Sequence, residues 1–339
     1  MKQQRKLVRV MSAAIATLAL CVPFGLQTVS AANPAYGTCQ TENLTIAQSP
    51  GGPANLTLAG TYCTPTQWAS GTHGIDVLMH GATYNQTYWG WPQNPSLYSY
   101  VDKTLQAGRA TFAIDALGAG QSSKPSGLTV TVDDQAYALH QALNWVHQTY
   151  SDVTVVGHSF GSVTALDENA TYQDASRLVI TGLTHSQGLG YAEFFASVTP
   201  VSLSDPTYVT TTTAGRQVFY GGTFDQNVVS YDDAHKDAVP VSEITDLKND
   251  LNLDVPGVGY ATQVHVPVLV IVGQDDQIVC GLTLDCNSQT AVQNNEALYY
   301  TATPSLTTEV VPDTGHDLAL HPSANTSFSD INMWIQSHQ

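Results

Sequence analysis

The run Asp152-Val-Thr-Val-Val-Gly157-His158-Ser159-Phe160-Gly161 decides how this chain is read. Four β-branched residues predict a buried strand, and the strand ends abruptly in a Gly-x-Ser-x-Gly pattern. Such an ending throws the serine into a sharp, strained turn, and the flanking glycines let strand and helix approach without a Cβ clash. Ser159 is therefore the candidate nucleophile. In a chain with 26 glycines the five-residue pattern also arises by chance, so its surroundings must decide.

Working outward, the neighbouring segments supply a strand and helix rhythm. Gly74 to Gly81, Arg109 to Asp115, Arg177 to Leu183, residues 267–272 and Thr307 to Val311 are short apolar runs expected as buried strands. Helical spacing is expected from about Asp133 to Gln148, from Val163 to Asn169, near 289–301 and from Phe328 to Ser337. Residues Asn43 to Ala47 and Asn55 to Tyr62 alternate across Ser49-Pro-Gly-Gly-Pro53, which predicts an antiparallel hairpin at a sheet edge. The fold class expected is α/β, a mostly parallel central sheet flanked by helices.

The stretch 186–263 breaks the rhythm. It is too long for an ordinary connection and is expected to be a cap or lid inserted in the main domain, which spans 32–339. Its aromatics, Phe194, Phe195, Tyr208, Phe219, Tyr220, Phe224 and Tyr231, suit either an apolar substrate pocket or the cap's own core.

Composition narrows the function classes. Lys2, Arg5, Lys6 and Arg9 precede an apolar stretch and a Val29-Ser-Ala31 site, the pattern of a secretory signal peptide over 1–31. Pro23 and Gly25 interrupt that stretch, which argues against a stable membrane anchor. Removing the signal leaves seven basic against 28 acidic residues, a formal charge of −21, so nucleic acid is excluded as a natural partner. Cys39, Cys63, Cys280 and Cys286 remain, an even number fitting an exported chain, and local pairing predicts Cys39–Cys63 and Cys280–Cys286. No Cys-x-x-Cys motif or histidine cluster with zinc spacing occurs, so no metal site is expected.

A serine hydroxyl attacks only when a base takes its proton and an acid orients that base. Two further signals fit: Gly273-Gln-Asp275-Asp276 after one strand and Asp313-Thr-Gly315-His316 after the next. Both lie beyond the carboxyl ends of strands, where open α/β sheets place their sites. With His80-Gly81-Ala82 and Asp115-Ala-Leu-Gly118-Ala-Gly120-Gln-Ser122, these motifs resemble the α/β-hydrolase superfamily over most of the chain from about residue 40.

The resemblance implies a Ser159, Asp276, His316 triad in that order, the acid being the third residue after the strand-end glycine and so Asp276 rather than Asp275. It also implies an oxyanion hole from the backbone N–H groups of Phe160 and Ala82, no cofactor, and structural roles for His80 and His158. His185 and His321 are read as satisfied, non-catalytic histidines, while Tyr84, Tyr88, Trp89 and Trp91 divide evenly between pocket lining and packing. The function expected is a secreted serine hydrolase acting on a small-molecule carboxylic ester or lactone with an apolar part. The alternatives are an aminopeptidase or amide hydrolase using Asp225, Asp232, Asp233, Asp237 or Glu243 for the substrate amine, and a non-catalytic binding protein.

Overall fold

A computed structural model describes residues 34–71, 73–246 and 255–339. The predicted signal segment, 1–31, lies outside the described residues. Among the described residues, eight strands form one sheet, in the spatial order of the strands that begin at Gly37, Ala54, Ala110, Gly74, Asp152, Arg177, Val268 and Leu306. They are β1 (Gly37–Ala47), β2 (Ala54–Pro65), β3 (Gly74–Met79), β4 (Ala110–Ile114), β5 (Asp152–His158), β6 (Arg177–Thr181), β10 (Val268–Gly273) and β11 (Leu306–Val311). The β1/β2 hairpin is antiparallel and joins the edge through β2 and β4, while every pairing from β4 to β11 is parallel. Cys39 lies directly opposite Cys63 in the hairpin, and the two form a disulfide.

The parallel strands are buried along their whole length where both faces carry helices, as in β3, β5 and β10. Asp76 sits inside the apolar run of β3 at 0% exposure. A buried carboxylate needs a partner, and the Arg109 guanidinium supplies one at 2.8 Å while also reaching Asp152 at 2.6 Å. This ion network knits together the starts of β3, β4 and β5, opposite the edge that carries the candidate site.

The helix Val132–Val146 begins at a capping box in which Thr131 and Asp134 satisfy each other's backbone donors. Helix Phe160–Thr171 starts three residues earlier than expected, immediately after Ser159, because the turn itself sets the first helical residue. The helix Gln289–Glu296 ends five residues earlier than its apolar spacing suggests, and Ala324–Ser337 starts four residues earlier. Helix Tyr100–Gln106, capped by Ser99, has no counterpart in the sequence reading.

Residues 186–263 contain a second sheet of β7 (Val198–Ser202), β8 (Asp205–Thr211) and β9 (Val239–Pro240), with helices Leu189–Ser197 and Gln226–His235. Among the described residues, no helix is long and apolar enough to cross a membrane.

Candidate active site

The parallel register lines up the carboxyl ends of the strands: Met79 faces Gly157, His158 faces Thr181, and Gly273 faces Val311. Residues shortly after those ends therefore gather on one rim. Ser159 follows β5 at once, with φ 51° and ψ −115°, a conformation that costs an L-residue of order 1–3 kcal/mol. The neighbours hold it there: the Ser159 N–H donates to Thr181 O at 2.8 Å. Both motif glycines are needed for closeness. A Cβ on Gly157 would lie 2.5 Å from Gly161 O, and one on Gly161 would lie 2.3 Å from Met79 O.

His316 follows β11 and is 2% exposed; its Nδ1 lies 2.9 Å from Asp276 Oδ2. Asp276, fully buried, accepts at its other oxygen from the Ile278 N–H at 2.9 Å and the Val279 N–H at 3.4 Å. Asp275 is exposed. Burial works against a charged His316 ring, but the charge and hydrogen bond of Asp276, then the charge of Asp317, outweigh it and raise its pKa. The acid's loop runs directly into the disulfide Cys280–Cys286, and the Cys280 N–H returns to Asp276 O at 3.0 Å.

Ser159, His316, Phe160 and Ala82 line one cavity of about 410 Å³. Among the described residues, Ser159 Oγ forms no hydrogen bond to His316; such contacts commonly tighten only once substrate is bound. The Phe160 N–H, first in its helix, is one of the donors a helix leaves without an internal partner. Ala82 is followed by Thr83 at φ 65°, a left-handed conformation for a β-branched residue. Thr83 is clamped on both sides: its carbonyl accepts from the Asp237 N–H at 2.8 Å, and its hydroxyl accepts from Arg216.

Arg216 is the centre of a buried network that sequence reading missed. Its guanidinium makes two 2.7 Å bonds to Asp232, which also accepts from Tyr220 Oη at 2.8 Å and lies 3.1 Å from Tyr84 Oη. Tyr84 Oη in turn donates to Asp317, whose other oxygen lies 3.1 Å from His158 Nε2. Burial lowers the pKa of His158, and although burial also opposes the charge of Asp317, the His158 hydrogen bond and then nearby positive charges, Arg216 among them, hold Asp317 below the usual carboxylate range. A neutral ring beside an ionised carboxylate carries its proton on Nε2. His158 thus braces the turn, as expected, and the charge of Asp317 bears on His316. The signal for this network was faint: Asp317 directly follows His316, but Arg216 and Asp232 are 101 and 85 residues before Asp317.

Other expected residues divide. His80 shapes its loop, bonding Gly81 O at 2.8 Å and the Ala116 N–H at 3.0 Å. His321 is buried against the Gly315 N–H at 3.0 Å, and His185 lines the cavity while bonded to Glu296 at 2.7 Å. Of the four tyrosine and tryptophan candidates only Tyr84 lines the cavity; Tyr88 and Trp89 pack in the core, and Trp91 packs against Tyr231. From 186–263, Phe194, Phe195 and Phe219 face the cavity, and the Phe219 carbonyl accepts from the His316 N–H at 2.9 Å. Tyr208, Tyr220, Phe224 and Tyr231 do not line it.

None of Asp225, Asp232, Asp233, Asp237 and Glu243 lines the cavity. Asp225 caps a helix, Asp232 holds Arg216, Asp233 pairs with Lys236, Asp237 anchors Asn85 and the Gly120 N–H, and Glu243 is buried against Gln135. Among the described residues, no Asp, Glu, Lys or Arg lines it at all.

Residues 77–326 match the model of the alpha/beta hydrolase family, and the chain belongs to that family. A search of curated proteins finds no match. Among solved structures, an esterase of Thermogutta terrifontis is similar at a TM-score of 0.61 and 16% identity, over 88% of this chain and 100% of that one. A monoacylglycerol lipase of Paleococcus ferrophilus is similar at 0.58 and 14% identity, over 84% and 100%. At such identities the likeness speaks for the fold.

Proposed function

We propose that this chain is a secreted serine hydrolase that cleaves carboxylic esters, lactones included, whose acyl or alcohol part is uncharged and apolar. The observation that carries the reading is the cavity that Ser159 and His316 share with Phe160 and Ala82, walled largely by aromatic and aliphatic side chains and, among the described residues, by no Asp, Glu, Lys or Arg. In this reading His316 Nε2 takes the Ser159 proton as Oγ attacks the ester carbonyl. The Phe160 and Ala82 N–H groups stabilise the oxyanion, each contributing roughly 3–4 kcal/mol to the transition state. The tetrahedral intermediate collapses, His316 protonates the departing alcohol, and water then frees the acid by the same steps in reverse roles. Asp276 keeps the ring's proton on Nδ1 and stabilises the imidazolium.

Residues 186–263 act as a cap whose Phe194, Phe195 and Phe219 form one side of the pocket. The disulfides support export to an oxidising compartment. The structural neighbours described as an esterase and a lipase agree with ester chemistry. An amide hydrolase needing a substrate ammonium would place a carboxylate in this pocket, and the five acids considered for that task are engaged elsewhere.

Incubation with a fluorophosphonate followed by peptide mass spectrometry tests the site: one adduct on Ser159, absent in Ser159→Ala, is expected. Nitrophenyl esters of increasing chain length, run beside amino-acid anilides, test the substrate class. An unlabelled, fully folded protein would sink the catalytic reading, and turnover of anilides alone would sink the ester reading.

A further inference from the structure

Away from the cavity, three side chains distant in sequence converge. His140 comes from helix Val132–Val146, Glu168 from the last turns of helix Phe160–Thr171, and Asp174 from the turn before β6. One donor atom from each lies within 4.8 Å of the other two. His140 Nδ1 is 2.6 Å from Asp174 Oδ2, and those two side chains are 23% and 18% exposed. Glu168 closes the inner side at 0% exposure, and both of its carboxylate oxygens are buried without a hydrogen-bond partner.

That orphaned carboxylate is the feature requiring an explanation. A buried carboxylate is ordinarily paired, hydrogen-bonded or bound to a metal. A cation bonds all three groups at once, with the imidazole giving up its ring proton to do so.

We propose that His140, Glu168 and Asp174 form a three-ligand site for a divalent transition-metal ion of the zinc class. One imidazole and two carboxylates suit such an ion better than calcium or magnesium, which favour all-oxygen shells. Around a tetrahedral zinc bonded at about 2.0–2.2 Å the donors stand about 3.4 Å apart, so on binding the His140–Asp174 pair opens from 2.6 Å and the wider pairs, within 4.8 Å, close by about an ångström. The exposed side leaves room for water as the fourth ligand. Glu168 lies nine residues beyond Ser159, about 13 Å along the helix axis. The ion therefore takes no part in the reaction; it fastens the helix that starts at Ser159 to its neighbour and to the strand beside it.

The test uses the full-length chain stripped with a chelator and titrated with Zn²⁺ alone, with Ca²⁺ and Mg²⁺ in parallel. Expected are one Zn²⁺ per chain by equilibrium dialysis with elemental analysis and a Tm rise of about 4 °C near a hundredfold excess over Kd. Ca²⁺ and Mg²⁺ should leave the Tm unmoved. Glu168→Gln, which preserves volume, and His140→Asn should each weaken Zn²⁺ binding at least about tenfold, whereas His316→Gln should leave it intact. Absence of saturable binding, binding that persists in both cluster variants, or loss in His316→Gln alone would each overturn the assignment. Two cluster variants are used so that one failing to fold still leaves the other to decide.

Discussion

Replacing Asp276 by asparagine should disable the site by changing where one proton sits. Asp276 Oδ1 is held by the Ile278 and Val279 N–H groups at 2.9 and 3.4 Å, while Oδ2 faces His316 Nδ1 at 2.9 Å. In Asp276→Asn the two backbone donors keep the amide oxygen in the Oδ1 position. The amide NH₂ must then occupy the Oδ2 position and donate to His316 Nδ1. A neutral ring that accepts at Nδ1 carries its proton on Nε2, the atom that has to receive the proton of Ser159. The variant also removes the charge that does most to offset burial at His316. The expected loss in kcat is on the order of 10³–10⁴, about 4–5.5 kcal/mol at 1.36 kcal/mol per decade. Nitrophenyl butyrate turnover at mildly alkaline pH measures it, with thermal unfolding confirming the fold and exposed Asp275→Asn as the control. A folded Asp276→Asn protein retaining more than about a tenth of wild-type kcat refutes the reasoning.

Three further outcomes are expected. Activity requires neutral His316, whose pKa is raised above 6.5, so the acid limb of the kcat/KM profile should lie above that value, and Asp317→Asn should move it down; a limb below pH 6.5 in the wild type contradicts the electrostatics. Arg216→Met strands the buried Asp232 carboxylate and should cost about 3–5 kcal/mol in denaturant unfolding, with much of the loss recovered in Arg216→Met/Asp232→Asn; a double-variant loss equal to the sum of the Arg216→Met and Asp232→Asn losses would show that the pair is not coupled. Burial raises Glu243 well above its ordinary range, opposed only partly by Gln135. Its folded pKa thus exceeds its unfolded one, and its contribution to stability, complete below about pH 4.5, is lost as pH rises. Glu243→Gln should flatten the decline of Tm with rising pH, and an unchanged slope would exclude the effect.

Much of this molecule is legible in linear order because its chemistry lies next to its strands. A buried parallel strand is a short unbroken apolar run, and a residue just past its end is carried to the rim by the register. Ser159 and His316 could therefore be proposed from Gly157-His-Ser-Phe-Gly161 and Gly315-His316, while the choice of Asp276 over Asp275 in Gly273-Gln-Asp-Asp276 drew on the family resemblance. The disulfides were readable too, since nearest-neighbour pairing coincides with opposite positions on β1 and β2 and with a short loop after Asp276.

Contacts made across long stretches of chain left no such trace. Residues 186–263 contain few long apolar runs, so their strands and the inward turn of Phe194, Phe195 and Phe219 emerge only when the segment packs over the rim. The acids in that stretch looked alike in sequence, yet the fold commits Asp232 to Arg216 and Asp237 to the loop near Thr83 and leaves the cavity without a carboxylate among the described residues. His140, Glu168 and Asp174 likewise become a cluster only once two helices and a turn are brought together. The sequence by itself determined the sheet, the elbow and the order in which Ser159, Asp276 and His316 follow their strands, because each is set by residues within a few positions of a strand end. Charge, burial and partner at the site were decided by tertiary structure alone, because they depend on groups about a hundred residues apart meeting where water is excluded.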